Sequence, residues 1–272
     1  MPAKGVSLHI GLNRVDPAQY EGWDGELAAC EADARDMQAI ARSQGFTPQL
    51  MLTKAATSTA VMDAIRKAAA ALKSGDIFFL SYSGHGGQMP DTNGDEVDGK
   101  DETWVLFDRQ LIDDELWSLW AGFAPGVRIV MLSDSCHSGT VSRAMPFYER
   151  MPGKGAPRYR ALPDAVAAKT YRKHKALYND IQKKTPKGDT LDVGATVLLI
   201  SGCQDNQLSS DGRRNGLFTE KLRKVWANGR FEGGYRVFRQ KIAALMPPTQ
   251  SPRYTRVGQA NAAFEKQKPF TV

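Results

Sequence analysis

The tightest constraint on this chain is an alternation. Short, almost wholly apolar runs of strand length are separated by longer segments in which apolar residues recur every three or four positions. Val6-Ser-Leu-His-Ile-Gly-Leu12 reads as a buried strand, and residues 26–44 then place Leu27, Cys30, Ala34, Met37 and Ile40 on one helical face. Residues 48–52 read as a second strand, followed by an Ala-rich helix over 58–73 with Thr57 or Ser58 as its N-cap. A third strand, Asp76-Ile-Phe-Phe-Leu-Ser-Tyr-Ser83, runs straight into Gly84-His85-Gly86-Gly87. A short strand at 104–107 and a helix from about Asp113 come next. The strongly apolar run Arg128-Ile-Val-Met-Leu-Ser133 then ends in Asp134-Ser135-Cys136-His137-Ser138-Gly139. Ala195-Thr-Val-Leu-Leu-Ile-Ser201 and helices near 216–228 and 233–245 complete the series. Such an order predicts an α/β fold with a mainly parallel sheet covered by helices on both faces. Sites in such sheets lie at the C-terminal ends of the strands, where His85 and Cys136 both fall.

A length of 272 residues with 42% hydrophobic content suffices for one substantial core, so a single domain over 1–272 is expected. No run has the length of a signal-peptide core or a bilayer span, which predicts a soluble, cytoplasmic protein without a membrane partner. Three widely spaced cysteines, Cys30, Cys136 and Cys203, fit neither a disulfide framework nor a zinc knuckle, and a reducing compartment suits them. The net charge of +6 is concentrated, because residues 141–189 hold 12 Lys and Arg against 4 Asp and Glu. Five prolines (Pro146, Pro152, Pro157, Pro163 and Pro186) interrupt the β/α pattern across the same stretch. It reads as a solvated basic insertion at about 141–189. Binding of nucleic acid through it is the alternative, but basic residues confined to one loop make nucleic acid an unexpected partner. A monomer is expected.

The chemistry lies in the two strand ends. A cysteine attacks as its thiolate and needs a neighbouring base to ionise near neutral pH. His85, 51 residues before Cys136, can supply it. The Gly86 amide, unshielded by a Cβ, and the Cys136 amide would serve as an oxyanion hole. His137, adjacent to Cys136, leaves the strand in the opposite direction and is expected at the rim.

Ser83-Gly84-His85-Gly86 together with Asp134-Ser135-Cys136-His137-Ser138-Gly139 resembles the metacaspase branch of the caspase-fold cysteine peptidases. Caspases place their His about 50 residues before the Cys, but carry Gln-Ala-Cys where this chain has Asp134-Ser135-Cys136. The resemblance runs from Val6 to Asp211 and includes Cys30-Glu-Ala-Asp33-Ala and Ser201-Gly-Cys203-Gln204-Asp205. It is closest to the bare catalytic domains of bacterial members, and implies a three-layer α/β/α sandwich with about six strands. It also implies an endopeptidase that cuts peptides or proteins after Arg or Lys. Asp33 and Asp134, with Ser83 beside them, match the residues lining the family's primary specificity pocket. Facing carboxylates there suit a guanidinium or an ammonium. Two such acids in an empty pocket would repel each other. An idle caspase-fold binding module is the alternative, to which the intact His85 and Cys136 are an objection.

Asp91 to Glu102 is dense in carboxylates. It approaches EF-hand offsets, but Glu96 stands where glycine is needed and no helix precedes it. The peptidase chemistry itself requires no cofactor. The resemblance leaves Ca2+ open, with Asp101, Asp113 and Asp114 matching three of the ligands some metacaspases use. Arg143, a cation, falls at about the fourth position.

Overall fold

The computed structural model describes residues 2–94, 96, 98–135, 158–204, 207 and 209–272. Its centre is a six-stranded sheet of β1 (Gly5–Gly11), β2 (Thr47–Leu52), β3 (Ile77–Ser83), β7 (Arg128–Asp134), β9 (Thr196–Ser201) and β11 (Arg253–Gly258), in the order β11-β9-β7-β3-β1-β2. All neighbours are parallel except β11, which runs antiparallel to β9.

Position in the sheet explains the sequence pattern. Every residue of β3 is buried, because β1 and β7 flank it and helices cover both faces, so its sequence is a continuous apolar run rather than an alternating one. The edge strand β2 alternates between exposed and covered positions, as a half-buried strand must. One face packs Ile10, Phe78, Leu80 and Ile129 beneath α2 (Ser58–Ala71) and α3 (Asp113–Ala121). The other packs Phe79, Val130, Leu198 and Ile200 beneath α1 (Cys30–Ser43), α6 (Leu217–Trp226) and α7 (Tyr235–Ala243). Burial of each such large side chain is worth roughly 1.5–3 kcal/mol, and the two clusters hold the layers together. The N-cap of α2 is Thr57, whose hydroxyl accepts the Ala60 amide at 3.3 Å.

Two expectations are corrected. The short strand near 104–107 does not join the central sheet; it is the end of β5 (Lys100–Val105), which pairs antiparallel with β4 (Gly86–Pro90) and β6 (Gln110–Ile112) in a separate three-stranded sheet. The basic insertion is not simply solvated. After residue 157 it forms β8 (Arg158–Tyr159), α4 (Asp164–Lys173) and α5 (Lys175–Lys184). Tyr178 of α5 packs with Met89 and Ile112 of the small sheet, and Gln182 is buried. The Lys and Arg side chains of these helices are exposed, while Thr170, Tyr178 and Gln182 are buried. The two-residue strand β10 (Ser210–Asp211) pairs with β8, and α8 (Ala262–Lys266) ends the helices. No helix among the described residues is long and apolar enough to cross a membrane.

Candidate active site

Strands β3 and β7 lie side by side in register, with Ser83 opposite Asp134. His85 therefore follows β3 at the same offset at which residue 136 follows β7. Cys136, His137 and Arg143 lie outside the described residues. Ser135, the residue before the cysteine, is fully buried and held from two sides: its hydroxyl pairs with Ser133 Oγ at 3.0 Å, and its carbonyl accepts from Cys203 Sγ at 3.3 Å.

His85 is buried under Trp23, whose ring lies 4.8 Å away between centroids. Its Nε2 lies 2.9 Å from the Gly25 carbonyl, which can only accept, so Nε2 carries the hydrogen and Nδ1 keeps its lone pair. Nδ1 is buried and has no partner among the described residues. Burial pushes the His85 pKa down to about 4 although the Gly25 carbonyl opposes the shift, so the ring is neutral at pH 7. Gly25 has φ +58°, a left-handed conformation, and a Cβ there would press on Trp23 at 2.8 Å and on His85 at 3.2 Å. The His85 backbone is fixed by Tyr82, whose hydroxyl donates to the His85 carbonyl at 2.6 Å.

Asp33, Ser83 and Asp134 are brought together, and a residue not foreseen sits among them. Arg160, fully buried, places Nη2 2.7 Å from Asp33 Oδ2 and 3.0 Å from Asp211 Oδ1, and Nη1 2.8 Å from both Asp134 Oδ2 and Ser83 Oγ. The pocket is thus not empty; a guanidinium fork lies between the two acids and offsets their repulsion. The cage is completed from other elements. Asp33 Oδ1 accepts from Asn215 Nδ2 at 2.9 Å and from the Gly216 amide at 3.1 Å. Asp134 accepts from the hydroxyls of Ser209 and Thr219, at 2.5 Å and 3.2 Å. Asp211 also accepts the Ala28 and Ala29 amides just before α1. Gly216 is needed for close approach, since a Cβ there would stand 2.5 Å from the guanidinium. Three carboxylates against one guanidinium leave an acidic excess. The pKa of Asp33 is accordingly raised to about 6, chiefly by burial and further by Asp134, with Arg160 pulling against both.

The main chain beside Arg160 is also engaged. The Gly86 amide donates to the Arg160 carbonyl at 3.0 Å, and the Arg160 amide donates to the Ser209 carbonyl at 3.0 Å.

The acidic stretch forms a second cluster. Carboxylate oxygens of Glu96, Glu102 and Asp113 lie within 4.8 Å of one another. Asp113 Oδ1 is buried with no hydrogen-bond partner among the described residues, and burial together with Glu102, Asp101, Asp114 and Glu96 raises the Asp113 pKa to about 9. Of the three acids expected to hold a metal, Asp113 alone lies in this cluster. Asp101 accepts from Gln182 Nε2 at 2.7 Å, and Asp114 accepts from the Gly188 amide at 2.6 Å and Asn93 Nδ2 at 2.7 Å. A hard cation would match the all-oxygen donors and the orphaned Oδ1. Asp91 instead accepts the amides of Asn93, Gly94 and Glu96, which shapes the loop.

Sequence reasoning missed Arg160, Asp211, Gly25 and Trp23. Arg160 is one of 12 cations in its stretch, and nothing local marks it as the buried one.

Comparison with known proteins agrees with this geometry. A caspase domain model matches residues 15–267. Metacaspase-1 of Mycosarcoma maydis is 31% identical over 255 residues, covering 80% of this chain and 60% of that protein. Metacaspase-1 of Schizosaccharomyces pombe is 30% identical over 261 residues, with 80% and 58% covered. The chain thus spans about three fifths of the length of these relatives. The crystal structure of protein GSU0716 from Geobacter sulfurreducens superimposes with a TM-score of 0.90 at 57% identity, covering 99% of both chains. By these matches the chain belongs to the caspase-domain family of cysteine-type peptidases, on its metacaspase-like side.

Proposed function

We propose that this protein is a cysteine endopeptidase that cuts peptides and proteins after Arg or Lys, using His85 as base and Cys136 as nucleophile. The observation that carries the reading is the guanidinium held between Asp33 and Asp134 beside Ser83. A cage that seats one arginine side chain is built to seat that of a substrate, and its acidic excess would refuse Asp.

The chemistry follows from the tautomer. Nδ1 of neutral His85 takes the Cys136 thiol proton as the sulfur adds to the scissile carbonyl. The Gly86 amide, with that of Cys136, stabilises the oxyanion. The imidazolium returns its proton to the leaving amine, and water then releases the acyl group. No bound metal takes part in these steps. A divalent cation at Glu96, Glu102 and Asp113 would act instead by neutralising charge beside the middle of the β4–β5 ladder, where Gln88 is paired with Glu102 two positions from Gly86. Peptide or protein substrates, without nucleic acid or membrane, a monomeric state and a cytoplasmic setting belong to the same proposal.

Fluorogenic peptides bearing Arg, Lys or Asp before the reporter test it. Arg and Lys reporters should be released and the Asp reporter refused. Cys136→Ala and His85→Ala should each abolish release, and His137→Ala should retain much of it. Turnover surviving in Cys136→Ala would remove the mechanism.

A further inference from the structure

A neutral imidazole can carry its hydrogen on either ring nitrogen, and in water the two tautomers lie close in energy. His85 can serve as a base at Nδ1 only while the hydrogen stays on Nε2. The Gly25 carbonyl, 2.9 Å from Nε2, makes that choice. One such hydrogen bond is worth little where water competes for both partners, and more where water is kept out.

Trp23 keeps it out. Its ring lies 4.8 Å from the His85 ring between centroids, tilted by 59°. The indole is itself only partly buried, whereas the histidine beneath it is 5% exposed. A tryptophan that served the core alone would be buried with it; this one spends one face on the imidazole. The loop that carries it is fixed at several points. The Asp24 carbonyl accepts the Val15 amide at 2.9 Å, the Trp23 amide donates to the Tyr20 carbonyl at 3.0 Å, and the Leu27 amide donates to the Asn13 carbonyl at 2.9 Å. Tyr20, fully buried, ties the loop to the Leu106 carbonyl through its hydroxyl at 2.7 Å and meets the Trp23 ring at 6.1 Å. The missing Cβ at Gly25 lets indole, imidazole and carbonyl converge.

We infer that Trp23 is a positioning residue for catalysis: its ring shields the hydrogen bond between His85 and Gly25 from water and so holds the base in the tautomer that can receive a proton at Nδ1. The inference rests on the reading of His85 as the base. Burial is the largest influence on the His85 pKa and lowers it to about 4; the Gly25 carbonyl raises it, Arg160 lowers it, and Asp211 and the Ala161 backbone raise it. From β3, Tyr82 gives its hydroxyl to the His85 carbonyl and not to the ring, and the Val105 amide donates to the same carbonyl. The loop's own acids, Glu21, Asp24 and Glu26, pair with Lys173 and Arg14. A change at Trp23 removes none of these groups, so what it alters is the hydration of the ring.

Trp23→Ala and Trp23→Phe test this in two backgrounds. In Cys136→Ala protein, where no thiol couples to the ring, NMR of the ring nitrogens reads tautomer and titration without any turnover. With Trp23 in place the Nε2–H tautomer should dominate at pH 7. Trp23→Ala should mix the tautomers and move the titration up by about one pH unit or more. Trp23→Phe, which covers less of the ring, should move it the same way by a smaller step, and decides alone if thermal unfolding shows that Trp23→Ala fails to fold. In protein that keeps Cys136, kcat for an Arg reporter peptide should fall by about tenfold or more in Trp23→Ala, with KM changed by less than about threefold. A base works unprotonated, so raising its pKa brings the acid-side loss of kcat/KM to higher pH, and Trp23→Phe should recover most of the rate. Unchanged tautomer and titration in the folded variants overturn the inference. So does a rise in KM alone, which would make Trp23 a substrate contact, or a fall in kcat with the acid limb unmoved. A parent that cleaves no reporter removes the peptidase reading instead, and the ring titration still decides whether Trp23 holds the tautomer.

Discussion

The molecule holds two carboxylate clusters that differ in what surrounds them. In the pocket, Asp33, Asp134 and Asp211 surround a fully buried guanidinium. At the start of α3, carboxylate oxygens of Glu96, Glu102 and Asp113 lie within 4.8 Å of one another, and Asp113 Oδ1 is buried with no hydrogen-bond partner among the described residues. The Asp33 pKa is raised only to about 6, whereas that of Asp113 is raised to about 9. Burial penalises both; at Asp33 the charge of Arg160 and hydrogen bonds from Asn215 and Arg160 oppose it, whereas at Asp113 four neighbouring acids add to it. A guanidinium sits inside the pocket, whereas around Asp113 the neighbouring carboxylates add to the burial penalty.

Removing the cation should make the pocket resemble the α3 cluster. Arg160→Gln leaves three buried acids unpaired and should cost about 3–5 kcal/mol of stability at pH 7. The sign follows from the raised acid: stability that Asp33 contributes is present below about pH 4 and lost as pH rises through its folded pKa, which the substitution raises further. Urea unfolding should therefore show the deficit largest above pH 6 and shrinking toward pH 4. A deficit independent of pH would mean that packing, not charge, is what Arg160 supplies.

Weakening the cage from the other side should cost substrate rather than fold. Asp134→Asn should lower kcat/KM for Arg peptides by roughly 30-fold to 1000-fold, on the order of 2–4 kcal/mol of transition-state binding. If Asp134→Asn and Asp33→Asn both leave Arg cleavage intact, the pocket assignment is wrong even with His85 and Cys136 correctly paired.

The smallest effect belongs to the α3 cluster. Asp113, held protonated to about pH 9, loses its contribution to stability as pH rises from near 4 toward that value. Asp113→Asn should then raise stability by about 1–3 kcal/mol at pH 8 in chelator and change little at pH 4. Added Ca2+ should raise the Tm of the parent at pH 8 and leave that of Asp113→Asn unmoved. An equal response in both proteins would place any cation elsewhere.

The same contrast separates what the sequence discloses from what it does not. Strands such as β3 and β7 are buried on both faces, so their character is written in continuous runs, Ile77-Phe-Phe-Leu and Ile129-Val-Met-Leu, that need no tertiary knowledge. The positions of His85 and Asp134 at their ends follow directly. The small sheet is nearly silent, because Gly86-Gly-Gln-Met-Pro90 and Gln110-Leu-Ile112 are too short and too polar to show a period. The edge strand β11, Arg-Tyr-Thr-Arg-Val-Gly, was passed over for the same reason. Arg160 is hidden by its company: the features that bury it, Asp33, Asp134, Asp211 and Gly216, come from four other parts of the chain. Long-range charge pairing leaves no local signature, while strand burial does.

The order of strands across the central sheet has a consequence for any nick made in the chain between β7 and β9. Strand β9 is drawn from beyond Arg160–Ala161, yet it is bonded along six registered pairs to β7, which precedes that bond, and Phe218, Phe238 and Phe270 interleave with Phe79 and Val130 in one cluster. A break at residue 160 therefore severs the covalent thread without unstitching the fabric. The two pieces should travel through gel filtration as one particle and part only in denaturant.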